Sequence, residues 1–418
     1  MKIGYLLQQG IETRKRPSEG RPFSGPANHV FHVVHEFEKM GHTVRLINWL
    51  DGQIYYSDDL QQYEAIPVPE MAGGPRRLFE RIVRRTQSTL KLPYANYFES
   101  LRFAFACRRA LAGYDLLYER KTWMGYGGGI AAKWLHIPLV LEENGDHLAD
   151  LAAKGMAPTG IQLRLSLWLM RRAMHRAAHV VASGEGWRRN FIQKWGYDPQ
   201  RVTTIENGTE LIHKLERSEL YHFQVDAPPH DPVTLVYVGG FYAWHGIPVL
   251  LPALARALAD GTRARLLLIG SGDGLAEAQQ LVADLGLETA VTFLGHLTPD
   301  QYAPILAAAD FGVSPYCGWM EYSGLKILDY KAAGLPTLAS GLEGMPPTLR
   351  HEHTGLIVPP CDEDALYHAL IRLCGDDDLR RRMGQQARLD AEEMHSWEET
   401  AVRITAVFQQ VLQVNHHE

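Results

Sequence analysis

A chain of 418 residues, 46% apolar and 22% charged, is too long for one core and fits two domains of about 200 residues each. Its net charge of −6 hides an asymmetry: residues 1–210 hold 28 Lys and Arg against 21 Asp and Glu, and residues 211–418 hold 14 against 27. The basic first half predicts an anionic partner, but no zinc-finger spacing or aromatic-basic sheet signature accompanies it, which argues against nucleic acid.

Strand-like runs alternate with helical patterns along the whole chain, which predicts an α/β protein with parallel sheets. Residues 2–7 read as a first strand; they lack the apolar length and small-residue cleavage site of a signal peptide. A helix over 27–40 follows, with Ala27, Val30, Val34 and Phe37 on one face and Gly41 as its stop. Further strands are expected near 43–47, 116–118, 139–142, 179–182 and 202–205. Pro228, Pro229 and Pro232 lie in a polar stretch after Asn207-Gly208-Thr209-Glu210 and read as an interdomain linker. Strands are then expected near 234–238, 265–269, 291–294, 311–314, 337–339 and 355–358, before an amphipathic helix from Met394 to Phe408. The longest apolar runs, such as 266–269 with its flanks, are strand-length, so no transmembrane helix is predicted. Cys107, Cys317, Cys361 and Cys374 show no Cys-x-x-Cys spacing and read as reduced thiols of a cytoplasmic protein.

The most informative run is 310–340. A strand ends at Ser314-Pro315, a loop carries Glu321, and Gly324 opens a helix with Leu325, Leu328, Asp329 and Ala332 on one face. Gly334-Leu335-Pro336 ends that helix. Unpaired N–H groups near Gly324 and Leu325, with the positive end of the helix dipole, make a ready site for a diphosphate. Glu321 lies just before that site and Asp329 about two turns inside the helix, so the two acids address opposite ends of a bound nucleotide-sugar. The run resembles the donor-site signature of retaining GT-B glycosyltransferases of family 4, in which two acids eight positions apart flank a glycine-led helix. The second acid of the family is normally Glu; here it is Asp329, one methylene shorter.

The resemblance covers nearly the whole chain and implies a GT-B fold of two Rossmann-like domains facing a cleft. Residues 1–210 would be the acceptor-side domain, 211–395 the nucleotide-sugar domain, and 396–418 a helix crossing back to the first. It implies transfer of a sugar from a nucleotide-diphosphate donor to a glycan, lipid-linked or small-molecule acceptor, with retention of configuration and no metal or other cofactor. Glu321 would orient the donor sugar and Asp329 the ribose. Gly324, Leu325 and Lys326 would hold the diphosphate with His245, which stands where relatives carry a Lys in the loop after Gly240. Gly270, in Gly270-Ser271-Gly272, matches a turn lining the base pocket, and Gly25 matches a glycine pair near the diphosphate whose second member is here Pro26. At the end of the 139–142 strand, Glu143, Asn144 and His147 occupy the place where relatives touch the donor sugar, and the sequence leaves open which of them does so. A nucleotide-sugar 2-epimerase and a catalytically silent GT-B subunit are the alternative readings.

Three motifs carry other associations. Asp310-Phe311-Gly312 looks like a kinase magnesium motif without its companions. Asn207-Gly208-Thr209 is a glycosylation sequon, meaningless without a secretory signal, and His351-Glu352-His353 lacks metal-ligand helix spacing. Two basic amphipathic segments stand out in the first half. One places Leu78, Phe79, Ile82 and Val83 among Arg81, Arg84 and Arg85; the other, over 161–176, carries Trp168, Leu169, Arg171, Arg172 and Arg176. Each reads either as a core face with solvated arginines or as a contact with anionic membrane, which would place a cytoplasmic protein at the inner face of the membrane.

Overall fold

The computed structural model describes residues 1–14, 25–68, 75–89, 97–153, 156–224, 226–317, 324–341 and 348–415. The chain folds as two units, Met1–Ile205 with Ala401–Glu418, and Glu206–Thr400. The predicted Glu321 lies outside the described residues.

The first unit contains β1 (Lys2–Leu7), β2 (Thr43–Leu50), β3 (Gln53–Ser57), β4 (Glu64–Ala65), β5 (Leu116–Arg120), β6 (Leu139–Glu143), β7 (His179–Ala182) and β8 (Val202–Thr204). They form one sheet in the order β4-β3-β2-β1-β5-β6-β7-β8. Its helices are α1 (Gly25–Lys39), α2 (Pro75–Thr89), α3 (Tyr97–Ala110), α4 (Gly127–Leu135), α5 (His147–Ala153), α6 (Gly160–Met174) and α7 (Glu185–Trp195). The six parallel strands match the expected runs, and their near-continuous apolar character reflects burial on both faces. The antiparallel edge of β3 and β4 was not expected. Its signal is present in Asp51-Gly52, where both residues have positive φ (50° and 77°) and turn β2 back into β3 as a two-residue hairpin.

The second unit holds β9 (Val233–Val238), β10 (Ala264–Ile269), β11 (Val291–Gly295), β12 (Phe311–Ser314), β13 (Thr337–Ser340) and β14 (Gly355–Val358), all parallel, in the order β11-β10-β9-β12-β13-β14. Its helices are α8 (Leu211–Lys214), α9 (Ile247–Ala259), α10 (Leu275–Asp284), α11 (Pro299–Ala307), α12 (Leu325–Ala332), α13 (Glu363–Gly375) and α14 (Asp377–Met394). Strand order reverses between β9 and β12, which makes their C-terminal ends the topological switch point where open α/β sheets bind ligands. The last helix, α15 (Trp397–Asn415), starts in the second unit. From Ala401 it belongs to the first, where Phe408 packs on Phe37 at 5.6 Å and Tyr118 at 5.1 Å.

Two expectations are corrected. The stretch read as a linker is part of the second unit: Leu211, Leu215 and Leu220 are buried in its core, and His222 bonds the Asp310 carbonyl at 2.7 Å. The chain passes between units earlier, at Ile205–Glu206. Cys317 and Cys361, expected as free thiols, form a disulfide across 44 residues of sequence with Cα atoms 4.8 Å apart. Parallel strands β12 and β14, separated by β13, bring the two residues together, a proximity that linear spacing does not encode. Cys107 and Cys374 are free, so half of the cysteine argument for a reducing compartment falls away. Asp310 serves the fold: it is fully buried and accepts from Thr234 N–H at 2.7 Å and His230 at 3.0 Å.

Candidate functional site

The loops leaving β9 and β12 meet at the switch point. Gly246 makes this possible: its φ is 71°, and a Cβ there would stand 1.3 Å from the Pro315 carbonyl oxygen. The Cys317 N–H donates to the Trp244 carbonyl at 2.9 Å. Between these contacts lies His245. Its Nδ1 is 2.6 Å from the Gly240 carbonyl and 2.9 Å from the Tyr237 hydroxyl, and its Nε2 is 3.1 Å from the Tyr316 hydroxyl. Burial, reinforced by Lys326, pushes its pKa down to about 4, so the ring is neutral near pH 7. A neutral ring donating from Nδ1 to a carbonyl accepts at Nε2, here from Tyr316. The sequence placed His245 as a direct phosphate donor; in the structure both nitrogens face protein groups, Nε2 facing the Tyr316 hydroxyl.

Lys326 brings a cation to this switch point. It is buried, with Nζ 3.4 Å from the Tyr316 hydroxyl and over the rings of Tyr316 (4.4 Å) and Tyr237 (5.0 Å). It sits in the first turn of α12, which begins at Gly324 in the left-handed conformation (φ 53°) with no side-chain cap among the described residues. The first helical bond runs from Leu328 N–H to the Gly324 carbonyl at 3.1 Å. The amides of Leu325, Lys326 and Ile327 therefore precede the hydrogen-bonded helix, and Leu325 is exposed. A lysine here opposes the helix dipole unless an anion lies between them.

About one turn on, Asp329 accepts from Thr209 (2.6 Å) on Oδ1 and from Tyr302 (2.8 Å) on Oδ2. Burial raises its pKa to about 6 against the pull of these two donors, yet part of the residue remains accessible. Each oxygen keeps a lone pair for a further donor such as a ribose hydroxyl. Gly270 lets the β10 loop cross the β9 loop, since a Cβ would stand 1.8 Å from the Gly239 carbonyl, and its own N–H bonds Gly295 at 2.7 Å. Its contribution is therefore close approach rather than a free amide. Gly240 offers its carbonyl to His245 and Tyr237.

In the first unit, Glu143, Asn144 and His147 gather at the end of β6 as expected, inside a charged network. Glu142 accepts from Tyr5 (2.6 Å), Arg120 (2.8 Å) and Asn144, and pairs with His29 (2.8 Å). Burial alone would raise its pKa, but His29 and Arg120 hold it well below the usual carboxylate range. Glu143 is paired with Lys121; even so, burial leaves its pKa raised. Asn144 is thus committed to Glu142 and Glu143 to Lys121. His147 differs: among the described residues its buried Nδ1 has no hydrogen-bond partner, and burial with Lys121 and Arg120 nearby pushes its pKa down to about 3. Gly25 is exposed at the start of α1. The sequence did not single out Tyr237, Tyr302 and Tyr316, and it marked Thr209 only within the Asn207-Gly208-Thr209-Glu210 run; a Tyr in an apolar strand such as Tyr237 carries the same signal as a core residue.

Against known proteins, the family profile "Glycosyl transferases group 1" matches residues 232–376, and "Glycosyl transferase 4-like domain" matches residues 24–208. The chain is 28% identical over 258 residues to the D-inositol 3-phosphate glycosyltransferase of Corynebacterium kroppenstedtii, covering 59% of this chain and 56% of that one. It is 28% identical over 306 residues to the protein of the same name from Nocardia farcinica, covering 70% and 66%. The matches thus span about 56–66% of these two relatives' lengths. Among solved structures, Anabaena HepE in complex with UDP superposes with a TM-score of 0.67 at 18% identity, covering 98% of this chain and all of that one. The fold is GT-B.

Proposed function

From the membership of this chain in the group 1 glycosyl transferases, we propose that it moves a sugar from a nucleoside diphosphate donor to an acceptor, with retention of configuration and without a metal. The observation that carries this reading is the start of α12, where the amides of the first turn, the helix dipole and Lys326 converge. Together they offset the charge of a diphosphate that a cation would otherwise neutralise, and they stabilise the departing nucleoside diphosphate. Asp329 accepts ribose hydroxyls, and Glu321 addresses the donor sugar. The relatives' names and the UDP held by HepE set the first substrates to try. Incubation with UDP-, GDP-, ADP- and dTDP-sugars and inositol phosphate or glycan acceptors, with the product's anomeric centre read by NMR, tests it. Inversion, or loss of turnover in a chelator restored by Mn²⁺ or Mg²⁺, would refute the retaining, metal-independent reading. Donor binding with neither transfer nor hydrolysis would establish a silent subunit instead.

A second observation bears on where the acceptor is met. On α2, Leu78, Phe79 and Ile82 are 56%, 61% and 54% exposed, so they are not a core face. Arg81 and Arg85 flank them in solvent, whereas Arg84 turns inward to Glu80 (2.8 Å) and Glu99. On α6, Ile161 and Trp168 are exposed at 74% and 53%, with Arg164, Arg171 and Arg172 alongside. Exposed apolar side chains beside solvated arginines match an anionic bilayer surface, and we propose peripheral contact there. Among the described residues no helix is long and apolar enough to cross a membrane.

A further inference from the structure

We propose that Tyr316 is a positioning residue of the diphosphate site and that the Cys317–Cys361 disulfide clamps it there, which makes donor affinity depend on the redox state of these two cysteines. The inference rests on the transferase reading for its ligand, but its geometry is independent of it. Tyr316 joins His245 to Lys326, a cation at the start of α12: its hydroxyl lies 3.1 Å from His245 Nε2 and 3.4 Å from Lys326 Nζ, and its ring lies under the Lys326 ammonium at 4.4 Å. A Lys side chain is long and flexible, and this phenol fixes its head over the helix start. Tyr316 is followed at once by Cys317, whose N–H is bound to Trp244 and whose sulfur is bound to Cys361.

The other end of the clamp is firm. Cys361 lies in the turn between β14 and α13 with φ at 61°, a left-handed conformation that a residue with a Cβ adopts only where its surroundings hold it. The next residue, Asp362, caps α13 by accepting from Ala365 N–H at 2.8 Å. The clamp thus joins the Tyr316 loop to a capped helix. A dithiol or glutathione-type reductant supplies two electrons and two protons. The S–S bond breaks, Cys317 and Cys361 become thiols, and the reductant is oxidised to its own disulfide. Tyr316 then keeps only its noncovalent contacts.

The test uses the full-length protein, oxidised or reduced with dithiothreitol, with thiol content counted by mass spectrometry. Calorimetry with UDP and with uridine gives the first readout. Reduction, Cys317→Ser with Cys361→Ser, and Tyr316→Phe are each expected to weaken UDP about tenfold, the worth of one hydrogen bond, while uridine affinity stays within about twofold. Reoxidation restores UDP binding in wild type alone. Equal weakening of both ligands, or no change, overturns the proposal. A second readout needs no ligand: the His245 ring, titrated by NMR of histidine-labelled protein, is expected to rise from about 4 in the oxidised protein on reduction, as the freed Tyr316 loop lets water reach the ring. An unchanged His245 titration also overturns it. Failure of oxidised wild type to bind any of UDP, GDP, ADP or dTDP counts against the transferase reading alone, and the His245 titration then decides.

Discussion

The Tyr302 hydroxyl donates a 2.8 Å hydrogen bond to Asp329 Oδ2 while the Thr209 hydroxyl donates one of 2.6 Å to Oδ1. The shorter acid of this chain is therefore met by two hydroxyls of its own unit, and it carries a pKa raised to about 6, chiefly by burial. A carboxyl whose folded pKa lies above its unfolded value of 3.8 contributes stability that is fully present below that value and lost as pH rises through the folded one. Without ligand, the second unit should lose stability between about pH 4 and 6 on account of this group. Asp329→Asn should remove that part of the pH dependence, read as Tm against pH.

Donor binding should run the other way, because a ribose hydroxyl donates to the ionised carboxylate. Affinity for the donor nucleotide should rise as pH climbs through about 6, and Asp329→Asn should raise donor KM and flatten that profile, with kcat little changed. Asp329→Glu, which restores the usual family residue, should keep activity only if Tyr302 and Thr209 yield the added methylene's space. A pH-independent wild-type affinity would show that Asp329 does not touch the donor.

Lys326→Ala should weaken a nucleoside diphosphate much more than the corresponding nucleoside. One charge-assisted hydrogen bond is worth roughly 1.5–3 kcal/mol, about 10–150-fold in Kd by calorimetry. Equal losses for the two ligands would remove Lys326 from the phosphates.

Glu321→Gln keeps the side chain's size and removes its charge. If that carboxylate stabilises an oxocarbenium-like transition state, kcat should fall about 10²–10³-fold, or about 3–4 kcal/mol. Retained turnover would move the catalytic assignment to the network at the end of β6, where His147 Nδ1 has no hydrogen-bond partner among the described residues.

Vesicles rich in anionic lipid should bind the protein at low salt and release it as ionic strength rises, since the Debye length falls to about 8 Å at 0.15 M. Arg81→Gln with Arg85→Gln should weaken this binding without changing nucleotide affinity. Arg84→Gln should chiefly lower Tm, because Arg84 is held between Glu80 and Glu99. Sedimentation with vesicles separates the two effects, and indifference to the Arg81 and Arg85 changes would favour a soluble acceptor.

Local periodicity and turn chemistry carry much of this protein in the chain itself. Twelve of the strands, the Gly324 start of α12 and the Gly334-Leu335-Pro336 stop are readable because strand alternation, glycine freedom and helix ends act over a few residues. Even the unexpected β2–β3 hairpin had its sign in Asp51-Gly52. Contacts between groups far apart along the chain were beyond that reach. Tyr316 meets His245 across 71 residues, Thr209 meets Asp329 across 120, and Cys317 finds Cys361 across 44. Each depends on which strands the sheet sets side by side. The same holds for Leu78, Phe79 and Ile82: their helical spacing groups them on one face, and only the packing around α2 turns that face to solvent. Spacing names the residues that share a surface, whereas their partners follow from sheet order and from the desolvation and hydrogen bonding that it imposes.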